Sequence, residues 1–343
     1  MSVNSNLDNQ IKFKGKATEY FGIWITNILF TILTLGIYSA WAKVRTKKYF
    51  YSNTFIHDES FDYHASPIVI LKSRALVFFG YLIFIGSQYI WELFPAILLF
   101  LFILLLPFII VNAIKFNLVN TSYRSIRMNF KGVYNKESNK VYLLYPFLAV
   151  ITLGLLRPYI AKKSNEYYLN NLRFGTSLFT PKLKTKDFIG IYLAALALIL
   201  LLLGLGFIAY YWLLNALGTI SPDIMSFVPF IIIIIAYVPL AFIAALTRNY
   251  IFNNTILDKV KFSSNMTGPS LIFLYITNLI MIIASFGLLI PYIKIRNARY
   301  YASRSFVGDK EQLDQFLQAT QKKVNALGDS ASDILDVDFD AIG

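Results

Sequence analysis

TLGIYSAWAKVRTKKYF (Thr34–Phe50), TLGLLRPYIAKKSNEYY (Thr152–Tyr168) and SFGLLIPYIKIRNARYY (Ser285–Tyr301) are near-copies of one another. Aligned on Gly36, Gly154 and Gly287, each carries an aromatic five residues on (Trp41, Tyr159, Tyr292). A cation follows nine residues on (Arg45, Lys163, Arg296), and paired aromatics close the motif (Tyr49-Phe50, Tyr167-Tyr168, Tyr300-Tyr301). A repeat of this kind sets the architecture before any single element is read.

The setting is a bilayer. Apolar residues make up 57% of the 343, and charged ones 15%, against about 25% in ordinary globular chains. The runs Ala75–Trp91, Leu93–Ile114, Phe188–Pro222 and Ile224–Thr247 carry no charge. Runs of this length read as membrane-spanning helices, and a soluble core helix would keep a polar face. The expected fold is therefore an all-α polytopic membrane protein. It has three internal repeats, each a broken or kinked apolar helix plus short surface strands, separated by two transmembrane hairpins. The boundaries are a polar segment over 1–19, a membrane domain over 20–306 and an amphipathic, acidic tail over 307–343. Repeats fall at about 20–63, 121–181 and 253–306, and hairpins at about 75–114 and 188–246.

An extended half accompanies the repeat. Asn53-Thr54, Asn171-Leu172 and Asn254-Thr255 each precede a Phe (Phe61, Phe179, Phe262) by the same spacing, and Ser122-Tyr123 precedes Phe130 in the same way. These segments are too polar to span and too rich in Thr and Phe for helix, which fits short strands or tight turns at the membrane surface. In the tail, Leu313, Phe316, Leu317, Val324 and Leu327 outline an amphipathic helix. The Asp-rich end beyond it reads as a solvated tail, with docking onto the basic surface as the alternative.

Charge bears on the number of crossings. The net charge of +13 points to a cytoplasmic excess of Lys and Arg rather than to nucleic acid. If every repeat crosses, seven spans divide the Lys and Arg outside Arg157 12 to 19. If the repeats enter and leave on one face, all 31 share a side, and only Trp91–Pro95 and Leu217–Met225 face the other. The second arrangement obeys the positive-inside rule far better and predicts four true spans. Gly36, Gly154 with Pro158, and Gly287 with Pro291 mark the expected helix breaks.

The motifs TLGIYSAWAKVRTKKYF and NTFIHDESFDY, with the Asp-rich end Asp333–Asp340, resemble the YjgN-like family of bacterial inner-membrane proteins. The likeness covers about Phe13 to Phe306. It implies a multi-pass protein of the bacterial cytoplasmic membrane, and the charge distribution puts the tail on the cytoplasmic side. It carries no activity, because the family is a domain of unknown function. The third repeat departs from the pattern, with Ser285-Phe286 for Thr-Leu and Arg304-Ser305 for Asn-Thr.

Catalytic chemistry is not legible. There is no Cys, which excludes disulfides and thiolate chemistry. No phosphate-binding loop, nucleophile elbow or zinc motif appears. His57 and His64, beside Asp58, Glu59 and Asp62, read as a solvated turn rather than a metal site. No cofactor is expected. Asn27 and Asn278 stand nine residues before their glycines; they line a polar cavity or simply hydrogen-bond between helices. Trp41, Arg45, Tyr159, Lys163, Tyr292 and Arg296, with Lys47, Lys48, Lys162, Lys294 and Arg299 beside them, form basic-aromatic clusters that hold anionic lipid headgroups or an anionic substrate, or merely anchor the chain at the interface. Two functions follow: a transporter or channel-like protein with a polar cavity between repeats, or a non-transporting lipid-binding, membrane-organising protein. An enzyme ranks third.

Overall fold

The computed structural model describes residues 9–217 and 222–323, with backbone alone for 217 and 222–237. Five helix pairs follow one another along the described residues. They are α1 (Ala17–Leu33) with α2 (Ser39–Ser52), and α3 (Pro67–Ser87) with α4 (Phe94–Val119). The third pair begins with α5 (Lys136–Asn139), a π-helical turn (Lys140–Leu144) and α6 (Tyr145–Ile151), and returns through α7 (Arg157–Asn171). The last two are α8 (Thr185–Leu217) with α9 (Pro222–Asn253), and α10 (Gly268–Ala284) with α11 (Ile290–Ser303).

Each pair ends in a strand. The strands are β1 (Lys12–Phe13), β2 (Thr54–Ile56), β3 (Glu59–Tyr63), β4 (Thr121–Tyr123) and β5 (Ile126–Phe130). β6 (Leu172–Phe174), β7 (Ser177–Pro181), β8 (Thr255–Leu257), β9 (Val260–Ser264) and β10 (Ser305–Val307) complete the set. All ten pair in chain order as one antiparallel sheet. Residues 9–11 close it against β10: Ile11 N–H donates to the Ser305 carbonyl and Val307 N–H to that of Asn9, both at 2.9 Å. The result is a ring without a free edge.

The local chemistry explains why strands follow helices. Asn53, Asn120, Asn171 and Asn254 each end a helix, and each Nδ2 donates to the carbonyl four residues back at 2.7–2.8 Å. These bonds satisfy carbonyls that a helix C-terminus leaves open. The backbone carbonyls of the same four residues, and that of Arg304, accept from Lys14, His64, Lys131, Lys182 and Asn265 N–H at 2.8–3.2 Å. Five like links thus tie the end of each helix pair to the strand that leads into that same pair. The four hairpins turn on His57-Asp58, Arg124-Ser125, Gly175-Thr176 and Asp258-Lys259, with φ of 52, 48, 57 and 54° at the first residue. Positive φ there suits a two-residue turn that keeps the strand twist.

The all-α expectation is corrected here. The molecule is mostly helical, but a ten-stranded curled sheet organises it. Strands of two to five residues are too short to show a period of two, and their pairing is non-local. Two further corrections follow, and the expected tail helix is found. The second hairpin starts at Thr121, so Met128, not Phe130, occupies the place of Phe61, Phe179 and Phe262. Pro158 and Pro291 do not break helices; they sit in the first turns of α7 and α11, where a missing N–H costs nothing. The tail helix over 310–323 docks on the ring, burying Leu313, Phe316 and Leu317. Val324, Leu327, the Asp-rich end and the hairpin tip at 218–221 lie outside the described residues.

Because every helix pair leaves one strand and returns to the next, both ends of each pair meet the same ring. The second helix of each pair packs against the first element of the following pair, and α11 packs against α1 to complete the circle. Three helices among the described residues, α3, α4 and α8 over Thr185–Ala216, are long and apolar enough to cross a membrane, and 11% or less of each apolar window is buried. Their side chains face outward, as in contact with lipid. By contrast α1 and α10 have 17 residues each, roughly 26 Å at 1.5 Å per residue, short of the ~30 Å hydrocarbon core.

Candidate functional site

The three aligned glycines sit in one kind of turn. Leu35, Leu153 and Phe286 take φ of 48, 48 and 49°, and Gly36, Gly154 and Gly287 follow at 92, 86 and 86°. Each glycine N–H donates to the carbonyl five residues back, in Thr31, Ala149 and Ile282, at 2.7–2.9 Å. Thr34, Thr152 and Ser285 brace the turn from both sides. Each hydroxyl donates to the carbonyl four residues back and accepts the N–H four residues on. Two consecutive left-handed residues reverse the chain, and glycine is the one residue for which the second carries no Cβ penalty. Leu35, Leu153 and Phe286 stand 93–97% exposed at the tips.

These turns fold each second helix back along the first. Asn27 is thereby buried between α1 and α2, its Nδ2 3.4 Å from the Ala42 carbonyl and from Thr46 Oγ1. Its Oδ1 is buried without a protein partner. Asn278 is buried between α10 and α11; it donates to Asn297 Oδ1 at 2.7 Å and accepts from Arg296 Nη1 at 2.9 Å. Arg296 also donates to Thr277 Oγ1 at 2.6 Å. The structure thus joins Arg296 to Asn278 but does not bring Asn27 and Asn278 into one cavity. Each bonds inside its own helix pair.

The other singled-out residues spread around the ring. Trp41, Tyr159 and Tyr292 are 36–45% exposed, suited to an interface. Arg45 is exposed on α2. Lys163 and Lys162 both hold Glu166, at 3.2 and 2.6 Å. Burial would push that carboxyl up, but the two lysines outweigh it and hold it below the usual range.

One pocket gathers positive charge without a countercharge. It has a volume of about 440 Å³ and lies along α1 and α2, with Lys294 of α11 reaching in. Lys43, Lys47 and Lys294 line it, with Asn27, Thr31, Ser39 and Thr46 as neutral polar groups and no carboxylate. Lys294 Nζ stands 3.4 Å from Tyr20 Oη. Lys47 donates to Asn117 Oδ1 and lies 4.9 Å from the Tyr63 ring centroid. Its own burial first, and then Lys43, hold Lys47 below an ordinary lysine. Three ammonium donors, hydroxyls and one amide around an open volume have the chemistry to bind a phosphate-like anion. Tyr20, Trp24, Ile28 and Ile32 of α1 form its apolar side.

The sequence reading named Lys47 and Lys294 but passed over Lys43. The signal was present: Lys43 and Lys294 both stand seven residues after the turn glycine. Among the described residues no group of three or more His, Asp and Glu side chains is placed to hold a metal ion. His64 Nε2 lies 2.7 Å from Ser122 Oγ, in a separate polar pocket with Glu59, Asp62, Arg124 and Arg127.

Comparison with known proteins gives a family and no activity. The family profile described as bacterial protein of unknown function (DUF898) matches residues 8–334. The chain is 24% identical over 369 residues to the inner membrane protein YjgN of Salmonella typhimurium strain LT2, covering 92% of each chain. It is likewise 24% identical over 354 residues to the inner membrane protein YjgN of Escherichia coli O157:H7, covering 88% of this chain and 89% of that one. No solved structure matches it.

Proposed function

We propose that this chain, which belongs to the DUF898 family of bacterial proteins of unknown function, holds an anionic lipid headgroup at the cytoplasmic face of the membrane. The chain is a bacterial inner-membrane protein with three apolar helices able to span among the described residues. Five copies of one unit, each a helix pair and the strands that follow it, form its ring. The pairs α3/α4 and α8/α9 cross the bilayer, and the other three dip in and return, so that ring, lysines and tail share the cytoplasmic side.

The observation that carries the headgroup reading is the lysine pocket. Lys43, Lys47 and Lys294 surround about 440 Å³ without a carboxylate, beside an α1 face whose Phe30, Ile32 and Leu33 point outward. A phosphate seated among the lysines leaves its acyl chains along that face. The role is one of binding and organising membrane lipids. Transport has less support, because Asn27 and Asn278 bond within separate pairs.

The test is binding of phosphatidylglycerol to the purified full-length protein in detergent. Each lysine near an anionic surface is worth about 1 kcal/mol. The triple variant Lys43→Gln, Lys47→Gln, Lys294→Gln should then lose roughly a hundredfold in affinity, at about 1.4 kcal/mol per decade. Arg45→Gln, outside the pocket, should change little. Unaltered binding in the triple variant would sink the reading.

A further inference from the structure

The Phe spacing that marked the strands in the sequence has a second meaning in the structure. Phe61, Phe179 and Phe262, with Met128 in the fourth place, occupy the middle of β3, β7, β9 and β5 and point into the ring. Facing them, Ile56, Tyr123, Phe174 and Leu257 stand on the paired strands. They do not fill the interior. A chamber of about 330 Å³ remains, with no polar surface exposed within it. The Tyr123 hydroxyl, the strand wall's polar handle, is spent on the Ile56 carbonyl at 2.9 Å.

Two surfaces close the chamber. Helix ends that rise from the bilayer side, Tyr168-Leu169 of α7 and Ile251-Phe252 of α9, line one side. Leu313 and Phe316 of the tail helix line the other. That helix is held at two hairpin turns, by Asp314 on Arg124 at 2.5 Å and by Lys310 on Asp58 at 3.2 Å, and just before it Asp309 accepts from Asn9 Nδ2 at 2.9 Å where the ring closes. Both ion pairs are partly open to water, so each is worth little, and the apolar side chains supply most of the hold. A wholly apolar cavity stays dry, and one of ~150 Å³ already takes benzene. This one is about twice that size, which a well-packed interior does not leave without reason.

We propose that the ring chamber binds a single saturated acyl chain drawn from the bilayer side, and that the tail helix is its lid. The chamber shares no lining residue with the lysine pocket, so either site can fail alone. No wall group recognises a headgroup, so the chamber selects by apolarity and length. The chain enters between the helix ends, whose floor residues are themselves apolar.

The experiment uses the detergent-solubilised full chain and two photoreactive probes. One is dodecanoic acid with a diazirine in its chain, and the other is phosphatidylglycerol carrying the same chain. Adducts are mapped by peptide mass spectrometry. The expected result is labelling of ring-facing positions around Met128, Phe179 and Phe262, competed by excess unlabelled dodecanoic acid. Labelling by the free acid alone assigns a loose chain; labelling by both probes assigns a bilayer lipid. Met128→Trp, which fills the chamber, should cut ring labelling at least tenfold. Phe316→Ala, which loosens the lid, should speed it several-fold, and it decides the matter if Met128→Trp does not fold. Adducts confined to the lipid-facing surfaces of α3 and α4 would overturn the proposal. So would ring labelling that neither variant changes.

Discussion

Replacing glycine by alanine at two kinds of position should have opposite signs, and the difference isolates the turn. At Gly36, Gly154 and Gly287 φ is 92, 86 and 86°. An added Cβ meets nothing within 4 Å at Gly36, Arg157 Cγ at 3.8 Å beside Gly154 and Ile290 Cδ1 at 3.4 Å beside Gly287. Contact costs are therefore small, and the penalty lies in the backbone. A left-handed L-residue costs about 1–2 kcal/mol, offset by ~0.4–1 kcal/mol from a less flexible unfolded chain. The net expectation is about 1 kcal/mol of destabilisation at each turn. The three values should be similar and should add to roughly 3 kcal/mol in the triple variant, because no two turns share a side-chain partner. At Gly22, inside α1 with nothing within 4 Å of the added Cβ, the same change should stabilise by about 0.5–1 kcal/mol. Unfolding by denaturing detergent, followed by tryptophan fluorescence in mixed micelles, measures all five variants. A turn substitution that costs nothing, or three costs that differ severalfold, would refute the claim that one turn is built three times.

Asn53→Ala, Asn171→Ala and Asn254→Ala each remove a bond of 2.8 Å to a helix-end carbonyl; each should cost about 1 kcal/mol, read by the same assay. Arg124→Ala removes the partly exposed partner of Asp314 and should cost under ~1 kcal/mol, whereas Phe316→Ala should free the tail helix to limited proteolysis at much lower protease concentration. Glu166 is held low in the folded protein, so its contribution is present above the ordinary glutamate value, roughly pH 4.3, and is lost as pH falls through the folded value. Melting temperature measured from pH 6 downward should therefore fall less steeply in Glu166→Gln than in the parent chain, with the two curves meeting in acid.

What the sequence showed and what it hid divide along local and non-local lines. The turn at Gly36 is written in adjacent residues, because the braces Thr34 and Tyr38 lie within one turn of it. The same holds at Gly154 and Gly287. The strands were visible as Asn-Thr and Phe at fixed spacing, since the helix-ending Asn acts on a carbonyl four residues back. Their closure was not visible: Asn9–Ile11 meet Ser305–Val307 across almost the whole chain, and no local pattern encodes such a pairing. The two apolar hairpins looked unlike the other pairs because they carry long runs of Leu and Ile in place of the glycine-turn motif. Yet Asn120 and Asn254 end them as Asn53 and Asn171 end two of the other three, with Arg304 at the end of the last. The slip at Ser122 had the same origin, since aligning on Asn120 rather than on Phe130 restores the register. Of the candidate site, Lys47 and Lys294 were legible as basic residues beside aromatics. Their convergence with Lys43 depends on α11 packing against α1, which chain order alone does not show.

The central claim is that all five helix pairs hang from one ring on one face of the membrane. Cysteine labelling tests it most directly, because the chain has no cysteine of its own. Single cysteines at the four hairpin turns, Asp58→Cys, Ser125→Cys, Thr176→Cys and Lys259→Cys, are exposed to an impermeant maleimide in spheroplasts, with Glu92→Cys at the α3–α4 tip as the opposite-face reporter. The account predicts that Glu92→Cys reacts at once and that all four turn cysteines react only after lysis. Labelling of any turn cysteine in intact spheroplasts while another stays protected would contradict it, because strands of one sheet cannot lie on two sides of a bilayer.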